Sequence, residues 1–288
     1  MPELPEVETT VKGLRRTISS LSIKNVWTDL KTTDKRQNGT IANPQYFRIF
    51  KKEVLGKKII SIERRAKNIL INISENKTIL VHLKMTGYLF YGQNPKIKYA
   101  HVIFSLSNKK FLVLSDMRKF GKITLLDTKK MYESKHLNNI GPEPLDKSFD
   151  LNKFKEVLQA SFAKASAGRG IKTVLMDQSI IAGIGNIYSD EILWRAEIHP
   201  ERKVSTLKDN EVELIFKATK ETLAKGIDFG GDSMSDYRNI YGLPGKFQLH
   251  HKAYRRTGEK CQKKGCTGII KRKIINGRSA HFCSIHQK

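Results

Sequence analysis

The sequence predicts an α+β multidomain protein: an N-terminal β-sandwich or barrel with one helix, a helical region, and a small C-terminal Cys/His module. Apolar and polar residues alternate through most of residues 22–128, which is the period of half-buried strands. From about residue 151 onward, apolar side chains instead recur at helical spacing. Strands followed by helices indicate an α+β fold or separate domains, and all three cysteines lie after residue 260.

Basic residues dominate the charge of this 288-residue chain, with 53 Lys and Arg against 28 Asp and Glu, a net charge of +25. Such an excess favours a polyanionic partner, because binding releases the cations condensed on phosphates. Nucleic acid is the favoured partner, with a membrane surface or a ribosome as alternatives. No apolar run reaches the roughly 18 residues of a membrane span, and the acidic N-terminus does not read as a signal peptide, so we expect a cytoplasmic protein.

The opening residues MPELPEVETT predict the first helix. Pro5 suits a first helical turn, the glutamates after it lie where the helix dipole favours negative charge, and apolar spacing continues the helix to about Ile18. None of this explains Pro2 and Glu3, which stand at a terminus where chains usually fray.

Three stretches carry the strand prediction: KKIISIERRAKNILINI, TILVHLKMTGYLFYG and HVIFSLSNKKFLVLSD, the last with a Ser-Asn-Lys-Lys turn. The stretch NNIGPEPLDKSFD predicts a linker. The predicted domains are therefore residues 1–137, a linker at 138–150, helices at 151–245, and the Cys/His module at 246–288. Within the helical region, AKASAGRG at residues 163–170 reads as a flexible loop, and the Gly-rich residues 226–245 as a disordered or functional loop.

The C-terminal module has the ligand spacing of a zinc ribbon. Cys261 and Cys266 are separated by four residues, Cys283 and His286 by two, and sixteen residues lie between the pairs. Two such knuckles joined by a β-hairpin can hold one structural Zn²⁺ ion in a tetrahedral Cys₃His set. His281 is a competing fourth ligand, and three incidental thiols are the alternative to a metal; the spacing favours zinc with His286.

The stretch AGIGNIYSDEILWRAEIHP predicts a tight turn at Gly183 and Gly185, with Asn186 beginning the next helix. Backbone amides at a helix N-terminus form a phosphate site. A plain helix hairpin without a ligand is an equally good reading of these residues.

MPELPEVETT, GIGNIYSDEILWRAEIHP and the basic zinc module together resemble the formamidopyrimidine-DNA glycosylases, in the same order and from residue 2 to the C-terminus. The resemblance implies a two-layered β-sandwich, a helix–two-turns–helix domain and a zinc finger. It further implies a monomeric base-excision repair enzyme on double-stranded DNA, which excises 8-oxoguanine and formamidopyrimidines and then cleaves the abasic strand by β,δ-elimination.

The resemblance assigns chemistry to four residues. With Met1 removed, the amine of Pro2 would attack C1′ of deoxyribose and form a cationic iminium, and Glu3 would act as general acid on the sugar or base. Lys67 in ERRAKNIL matches a lysine that contacts phosphate and assists β-elimination. Arg278 in INGRSAHFC matches a zinc-finger arginine that grips the phosphates flanking the lesion and is implicated in δ-elimination.

An enzyme that works on a base in duplex DNA must flip it out and fill the gap. Met85 and Phe120 match the family's apolar wedges, and Arg118 matches the residue that bonds the orphaned cytosine. Without the resemblance, Met85 and Phe120 would be read as core residues and Lys67 as a solvated lysine. FGGDSMSDYRNIYG corresponds to the loop that closes over the flipped base.

Further DNA contacts are implied for the helical region and the sandwich. Asn186 matches a phosphate contact, Lys172 fits a lysine of the same face, and Arg169 joins them by proximity. Tyr99 stands where a DNA-contacting histidine is frequent, which puts that contact in question.

Several positions depart from the family pattern. The first zinc pair is usually Cys-x-x-Cys and the fourth ligand Cys, Lys84 stands where glycine is common, and Met117 where proline is common. The acidic GGDSMSD loop leaves the lesion preference open. The sister branch that excises oxidised pyrimidines is one alternative, against which Leu4, Arg118 and Phe120 argue. A non-catalytic DNA-binding protein is another, but it would not need the Pro2–Glu3 pair.

Overall fold

The structure is a computed structural model that describes residues 1–32, 34, 37–161, 168–234 and 236–288. These residues form two compact units, one of residues 1–138 with 229–246 and one of residues 139–228 with 247–288. Among the described helices, none has the length and apolar character to cross a membrane. Of the loop predicted at 163–170, residues 163–167 lie outside the described part of the chain.

The first unit is the predicted sandwich of antiparallel strands with one helix at its start. Helix α1 spans Leu4–Ile18, as the sequence predicts. The strands are β1 (Ile23–Thr28), β2 (Ile59–Arg65), β3 (Asn68–Ile73), β4 (Lys77–His82), β5 (Gly87–Gly92), β6 (Ala100–Leu106), β7 (Phe111–Asp116) and β8 (Lys122–Asp127). They form two four-stranded sheets, ordered β1-β6-β7-β5 and β2-β3-β4-β8. Apolar side chains of α1 and of both sheets share one core.

Helix α2 (Pro44–Val54) lies within the stretch that the sequence reads mainly as strands, so that reading is wrong for these residues. The Asn43 side chain accepts a hydrogen bond from the backbone N–H of Tyr46 (2.9 Å), and Pro44 takes the first helical position. An Asn-Pro pair marks a turn as readily as a helix start. The helix buries Phe50 and Val54, one turn apart, in the sandwich core.

Residues 229–246 pack in the first unit, whereas the sequence groups them with the helices. Ile240 is 1% exposed in the sandwich core, and its carbonyl accepts a hydrogen bond from the backbone N–H of Tyr91 (2.7 Å). This contact joins residues that are far apart along the chain, so the local sequence pattern does not contain it.

The second unit contains the predicted helices and hairpin. They are α3 (Leu151–Ser161), α4 (Ile171–Met176), α5 (Asn186–Ala196), α6 (Asp209–Asp228), β9 (Ile270–Ile275) and β10 (Arg278–Cys283). Helix α5 is buried along most of its length. The hairpin turns through Asn276 and Gly277, which have φ of +46° and +73°, the two-residue geometry that suits the twist of paired strands.

Candidate active site and metal centre

Pro2 and Glu3 are buried at the start of α1. Glu3 is 3% exposed and Pro2 is also buried, while Met1 is 40% exposed. Glu3 is the N-cap residue of α1, and its backbone N–H donates to the Glu6 carboxylate (2.7 Å). The first helical turn therefore holds a chain end that would otherwise fray.

Glu6 also holds the Gly-rich loop, through Asp232 and Tyr237. Its Oε1 accepts a hydrogen bond from the backbone N–H of Asp232 (2.7 Å), and the Tyr237 hydroxyl donates to the Glu6 carbonyl (3.0 Å). Burial, together with the charge of Glu6, raises the pKa of Tyr237, so its hydroxyl remains a donor. At Gly231 (φ +85°) a Cβ would lie 2.9 Å from Glu6 Cγ, so only glycine fits. The Gly-rich loop is thus fastened to α1.

Lys67 lies in the two-residue turn between β2 and β3. It is 6% exposed, and Ala66 before it adopts a left-handed φ of +53°. Lys67 is therefore not the solvated strand-edge lysine that the residues alone suggest. Asn68 and His82 are Cα partners across β3 and β4, so this turn lies at the sheet end where β4 finishes.

Met85, Arg118 and Phe120 are exposed on two loops of the first unit. Met85 is 41% and Phe120 46% exposed, which contradicts the reading of both as core residues. The Arg118 guanidinium lies 4.6 Å from the centre of the Phe120 ring, within range of a cation–π contact. Tyr99, on a third loop, is 42% exposed.

One buried carboxylate connects these loops. Asp116, 1% exposed at the end of β7, accepts hydrogen bonds from the Thr86 hydroxyl and from the backbone N–H of Arg118 (3.2 Å) and Gly121 (2.6 Å). Its own N–H donates to the Tyr99 carbonyl (3.0 Å). Asp116 thereby fixes the loops that carry Met85, Tyr99, Arg118 and Phe120 to one another.

Asn186 begins α5 after the predicted tight turn of the second unit. Gln178 supports that turn, donating to the Ile184 carbonyl (2.7 Å) and accepting from the backbone N–H of Gly183 (2.9 Å). Gly183 has φ of +85°. The half-buried Asn186 is the first residue of the helix, where the helix dipole and the direction of the first backbone N–H groups favour an anion.

The prediction that Lys172 contacts DNA does not agree with its position. Lys172 is 1% exposed, and its ammonium donates to the carboxylate of Asp190 (2.5 Å) and the hydroxyl of Ser189 (3.0 Å). An ammonium enclosed in this way holds α4 against α5 and cannot also reach a phosphate. Arg169 is partly exposed and bonds Asp177 (2.9 Å).

Asp190 also anchors the β9–β10 hairpin. Its second oxygen accepts hydrogen bonds from the backbone N–H (3.0 Å) and Nδ1 (2.9 Å) of His281. At the hairpin tip, the Asn276 amide donates to the Thr173 hydroxyl (2.9 Å). Arg278, the first residue of β10, is exposed.

Cys261, Cys266, Cys283 and His286 form one cluster, with all ligand atoms within 4.8 Å of one another. The sulfur atoms of Cys266 and Cys283 are 3.6 Å apart. Two thiolates on one tetrahedral zinc lie about 3.8 Å apart, and a disulfide about 2.0 Å. The spacing therefore fits a tetrahedral metal, with His286 and not His281 in the cluster.

The surroundings of the cluster also fit bound metal. His286 Nε2 lies 3.2 Å from the Trp194 carbonyl, which leaves Nδ1 as the ligand atom. Backbone N–H groups of the first knuckle donate to its two sulfur atoms at 3.4 and 3.3 Å, which favours thiolates. A Cβ at Gly268 would overlap the Cys283 sulfur, so this close approach requires glycine.

Sequence reasoning did not find three of the residues that organise these sites. Asp116 precedes Arg118 and Phe120 in the chain, and Asp190 follows Asn186, so each acid lies beside residues that the sequence predicts to bind DNA. A carboxylate inside an otherwise apolar strand or helix was the available signal, since buried acids are nearly always paired. Tyr237 carried no such signal.

Comparison with known proteins agrees with this geometry. Residues 1–123 match the formamidopyrimidine-DNA glycosylase N-terminal domain, and residues 140–238 match the formamidopyrimidine-DNA glycosylase H2TH domain. Curated formamidopyrimidine-DNA glycosylases of Pelotomaculum thermopropionicum and Streptococcus pneumoniae are 39% and 36% identical to this chain. The first alignment covers 100% of this chain and 99% of the relative. The second covers 98% of this chain and 97% of the relative.

Solved structures of the Lactococcus lactis protein are similar over the whole chain. A G226P mutant bound to Fapy-dG-containing DNA has a TM-score of 0.87, 32% identity and 100% coverage of both chains. A complex with abasic-site DNA has a TM-score of 0.86, 32% identity and 99% coverage of both. This chain therefore has the fold of a DNA glycosylase whose structure was solved in complex with DNA. The chain belongs to the formamidopyrimidine-DNA glycosylase family.

Proposed function

We propose that this chain is a bifunctional DNA glycosylase and AP lyase, which excises oxidised purines from double-stranded DNA as a monomer in the cytoplasm. The observation that carries the proposal is the buried Pro2–Glu3 pair at the N-cap of α1. A non-catalytic DNA-binding protein has no use for an enclosed terminal proline beside a buried carboxyl group. Full-length similarity to glycosylases supports the same conclusion.

Pro2 acts as the nucleophile once Met1 has been removed. Its secondary amine loses a proton and bonds to C1′ of the deoxyribose, while the bond from C1′ to the base breaks and the base leaves with a proton. Glu3 then donates a proton to the ring oxygen as the C1′–O4′ bond opens, leaving the C1′–nitrogen iminium. Proline suits this role because its iminium carries a fixed positive charge.

Strand cleavage follows from that charge. The iminium makes the C2′ proton acidic; water accepts it, and the resulting enamine expels the 3′ phosphate as the C3′–O bond breaks. Loss of the C4′ proton to water then expels the 5′ phosphate as the C5′–O bond breaks. We assign two basic residues to the phosphates that leave from C3′ and C5′. They are Lys67, buried in the β2–β3 turn, and the exposed Arg278. Asn186 at the start of α5 is a third phosphate contact.

Met85 and Phe120 fill the gap left by the flipped nucleotide, and Arg118 bonds the orphaned cytosine. Their exposure and their connection through Asp116 support this role, because a wedge must project from a rigid base. Tyr99, whose carbonyl accepts a hydrogen bond from the backbone N–H of Asp116, contacts the DNA backbone nearby. Residues 231–234, held by Glu6 at Asp232, close over the extruded base.

Cys261, Cys266, Cys283 and His286 would hold one Zn²⁺ ion, for which their ligand atoms lie close enough together. Bound zinc would cross-link the two knuckles and so stabilise the fold of the hairpin that carries Arg278.

Borohydride trapping tests the proposal. The protein, with Met1 removed, is mixed with a duplex that contains one 8-oxoguanine opposite cytosine, and sodium borohydride reduces the iminium to a stable adduct. We expect a covalent protein–DNA band on a denaturing gel, with peptide mapping placing the adduct on Pro2. Pro2→Gly should reduce it strongly, and a form that retains Met1 should give none.

The substrate range decides between the alternatives. Adduct formation with an oxidised pyrimidine but not with 8-oxoguanine would assign the chain to the sister branch. Tight DNA binding without an adduct on any lesion, in a protein with a processed terminus, would contradict catalysis.

A further inference from the structure

One end of the β2-β3-β4-β8 sheet carries a row of basic residues. Strand pairing places Asn68 opposite His82, and His82 opposite Lys122, so the three positions cross the sheet side by side. Lys67 immediately precedes Asn68 in the chain. Lys84 follows β4 by two residues, and its backbone N–H donates to His82 Nδ1 (3.1 Å).

The charges at this sheet end repel one another. Burial, reinforced by the cations Lys84, Lys67 and Lys122, lowers the pKa of His82 to about 3. Burial and Lys122 likewise lower the pKa of Lys84. Burial together with Lys135, Lys122 and Lys84 lowers the pKa of His136. Every charged group acting on these three side chains is a cation, and among the described residues neither Lys84 nor Lys122 forms a salt bridge.

The backbone at Lys84 is also unfavourable for a lysine. Its φ is +56°, in the left-handed region where a Cβ is strained and glycine is not. Lys84 therefore adds both backbone strain and like-charge repulsion to the folded protein. Strain and convergent charge of this kind concentrate at ligand sites.

We propose that Lys84 and Lys122 form a phosphate-binding pair that takes one phosphodiester group of duplex DNA at this sheet end. Both lysines are half-buried and their positive charges repel each other. A bound phosphate would supply a negative charge that offsets this repulsion. The two lysines act in addition to Lys67, and this inference rests on the proposed function because it takes DNA as the ligand.

Salt dependence of DNA binding by Lys84→Gly tests the pair. Glycine removes the charge and relieves the φ strain, so we expect a more heat-resistant protein that binds DNA more weakly. The slope of log K against log salt for undamaged duplex should fall by about 0.9, equivalent to about 3.5-fold less affinity loss between 50 and 200 mM salt. Lys122→Gln should lower the slope by a similar amount. The double variant Lys84→Gly/Lys122→Gln should lower it by no more than about 0.9, because both lysines bind one phosphate.

Lys109→Gly is the matched control. Lys109 is an exposed lysine of the same unit with φ of +64°, so the substitution makes the same charge and backbone change. Lys109 precedes β7, whereas Arg118 and Phe120 follow it. The six residues of this strand separate Lys109 from the two side chains by about 20 Å. Equal slopes for Lys84→Gly and Lys109→Gly would overturn the pair. Borohydride trapping on Pro2 is scored separately, so this failure is distinguishable from failure of the proposed function.

Discussion

The carboxylate of Asp116 accepts a hydrogen bond from the hydroxyl of Thr86, and through this contact the loop after β7 is joined to the loop after β4. The same carboxylate caps the backbone N–H groups of Arg118 and Gly121. The three donors belong to loops that carry side chains proposed to enter the DNA gap. The mutual position of these loops therefore depends on one buried acid.

Asp116→Asn is expected to loosen the wedge. An amide has one acceptor oxygen where the carboxylate has two, so at least one of the N–H groups now bonded loses its acceptor. We expect a loss of about 1–3 kcal/mol in the free energy of unfolding and slower base excision in single-turnover assays. Asp127→Asn is the control, because Asp127 is an exposed strand-end residue whose carboxylate accepts a hydrogen bond from the backbone N–H of Lys129 (2.9 Å). Unchanged excision in Asp116→Asn would show that loop rigidity does not limit the reaction.

Glu6→Gln is expected to affect adduct formation more than DNA binding. Glu6 bonds the backbone N–H of Glu3 with one oxygen and that of Asp232 with the other, and glutamine can accept with only one of these atoms. The terminus or the loop then loses its anchor, and borohydride trapping should slow by at least tenfold. Glu8→Gln, on the same helix and paired with Arg64 (2.9 Å), should leave trapping nearly unchanged. Equal effects of the two substitutions would argue against a positioning role for Glu6.

Stability is expected to fall in mild acid through His82. Its folded-state pKa of about 3 lies below the unfolded value near 6.5, so the unfolded chain binds the extra proton between these limits. The contribution is fully present above about pH 6.5 and is lost as the pH falls towards 3, at no more than about 1.4 kcal/mol per pH unit. Denaturant unfolding of wild type and His82→Gln at pH 7 and pH 5 measures it. The difference between the two proteins should shift with pH; a constant difference would contradict a His82 that stays neutral in the folded protein.

Much of the fold was predictable because its signals are local. Strand alternation, the Pro5 helix start and the Ser-Asn-Lys-Lys turn between β6 and β7 each depend on a few neighbouring residues, and each agrees with the structure. Helix α2 was missed because the Asn43–Pro44 pair is compatible with a turn as well as with the start of a helix. The packing of residues 229–246 in the first unit was missed because it depends on contacts such as Ile240 with Tyr91, which no local window contains.

In the candidate site, too, the residues with local sequence signals were predictable and those that depend on distant partners were not. Cys and His spacing predicted the cluster, since knuckle geometry is fixed by the residues between the ligands. Lys172 was misplaced because a lysine that pairs with a buried carboxylate looks, in sequence, like any basic residue near a glycine turn. The partner Asp190 lies on a different helix, and only the fold brings the two together.

His286→Ala and His281→Ala should differ in metal content. His286 Nδ1 lies 3.3 Å from the Cys261 sulfur inside the cluster, whereas His281 Nδ1 is bonded to Asp190. Wild type purified with zinc should contain one zinc per chain by elemental analysis, and His286→Ala should lose it to a chelator much faster. His281→Ala should retain zinc although its hairpin loses a buried hydrogen bond, because all four ligands remain.

His286→Cys separates the metal site from general damage to the fold. A fourth cysteine at this position restores a complete tetrahedral ligand set, so zinc retention should return to at least the wild-type level. Recovery in His286→Cys with loss in His286→Ala would show that residue 286 ligates the metal and does not merely pack against Trp194, whose indole lies edge-on to the His286 ring at 5.4 Å. If His281→Ala lost zinc while His286→Ala kept it, the assignment of the fourth ligand would be reversed, and the Cys-x-x-His knuckle would have to be abandoned.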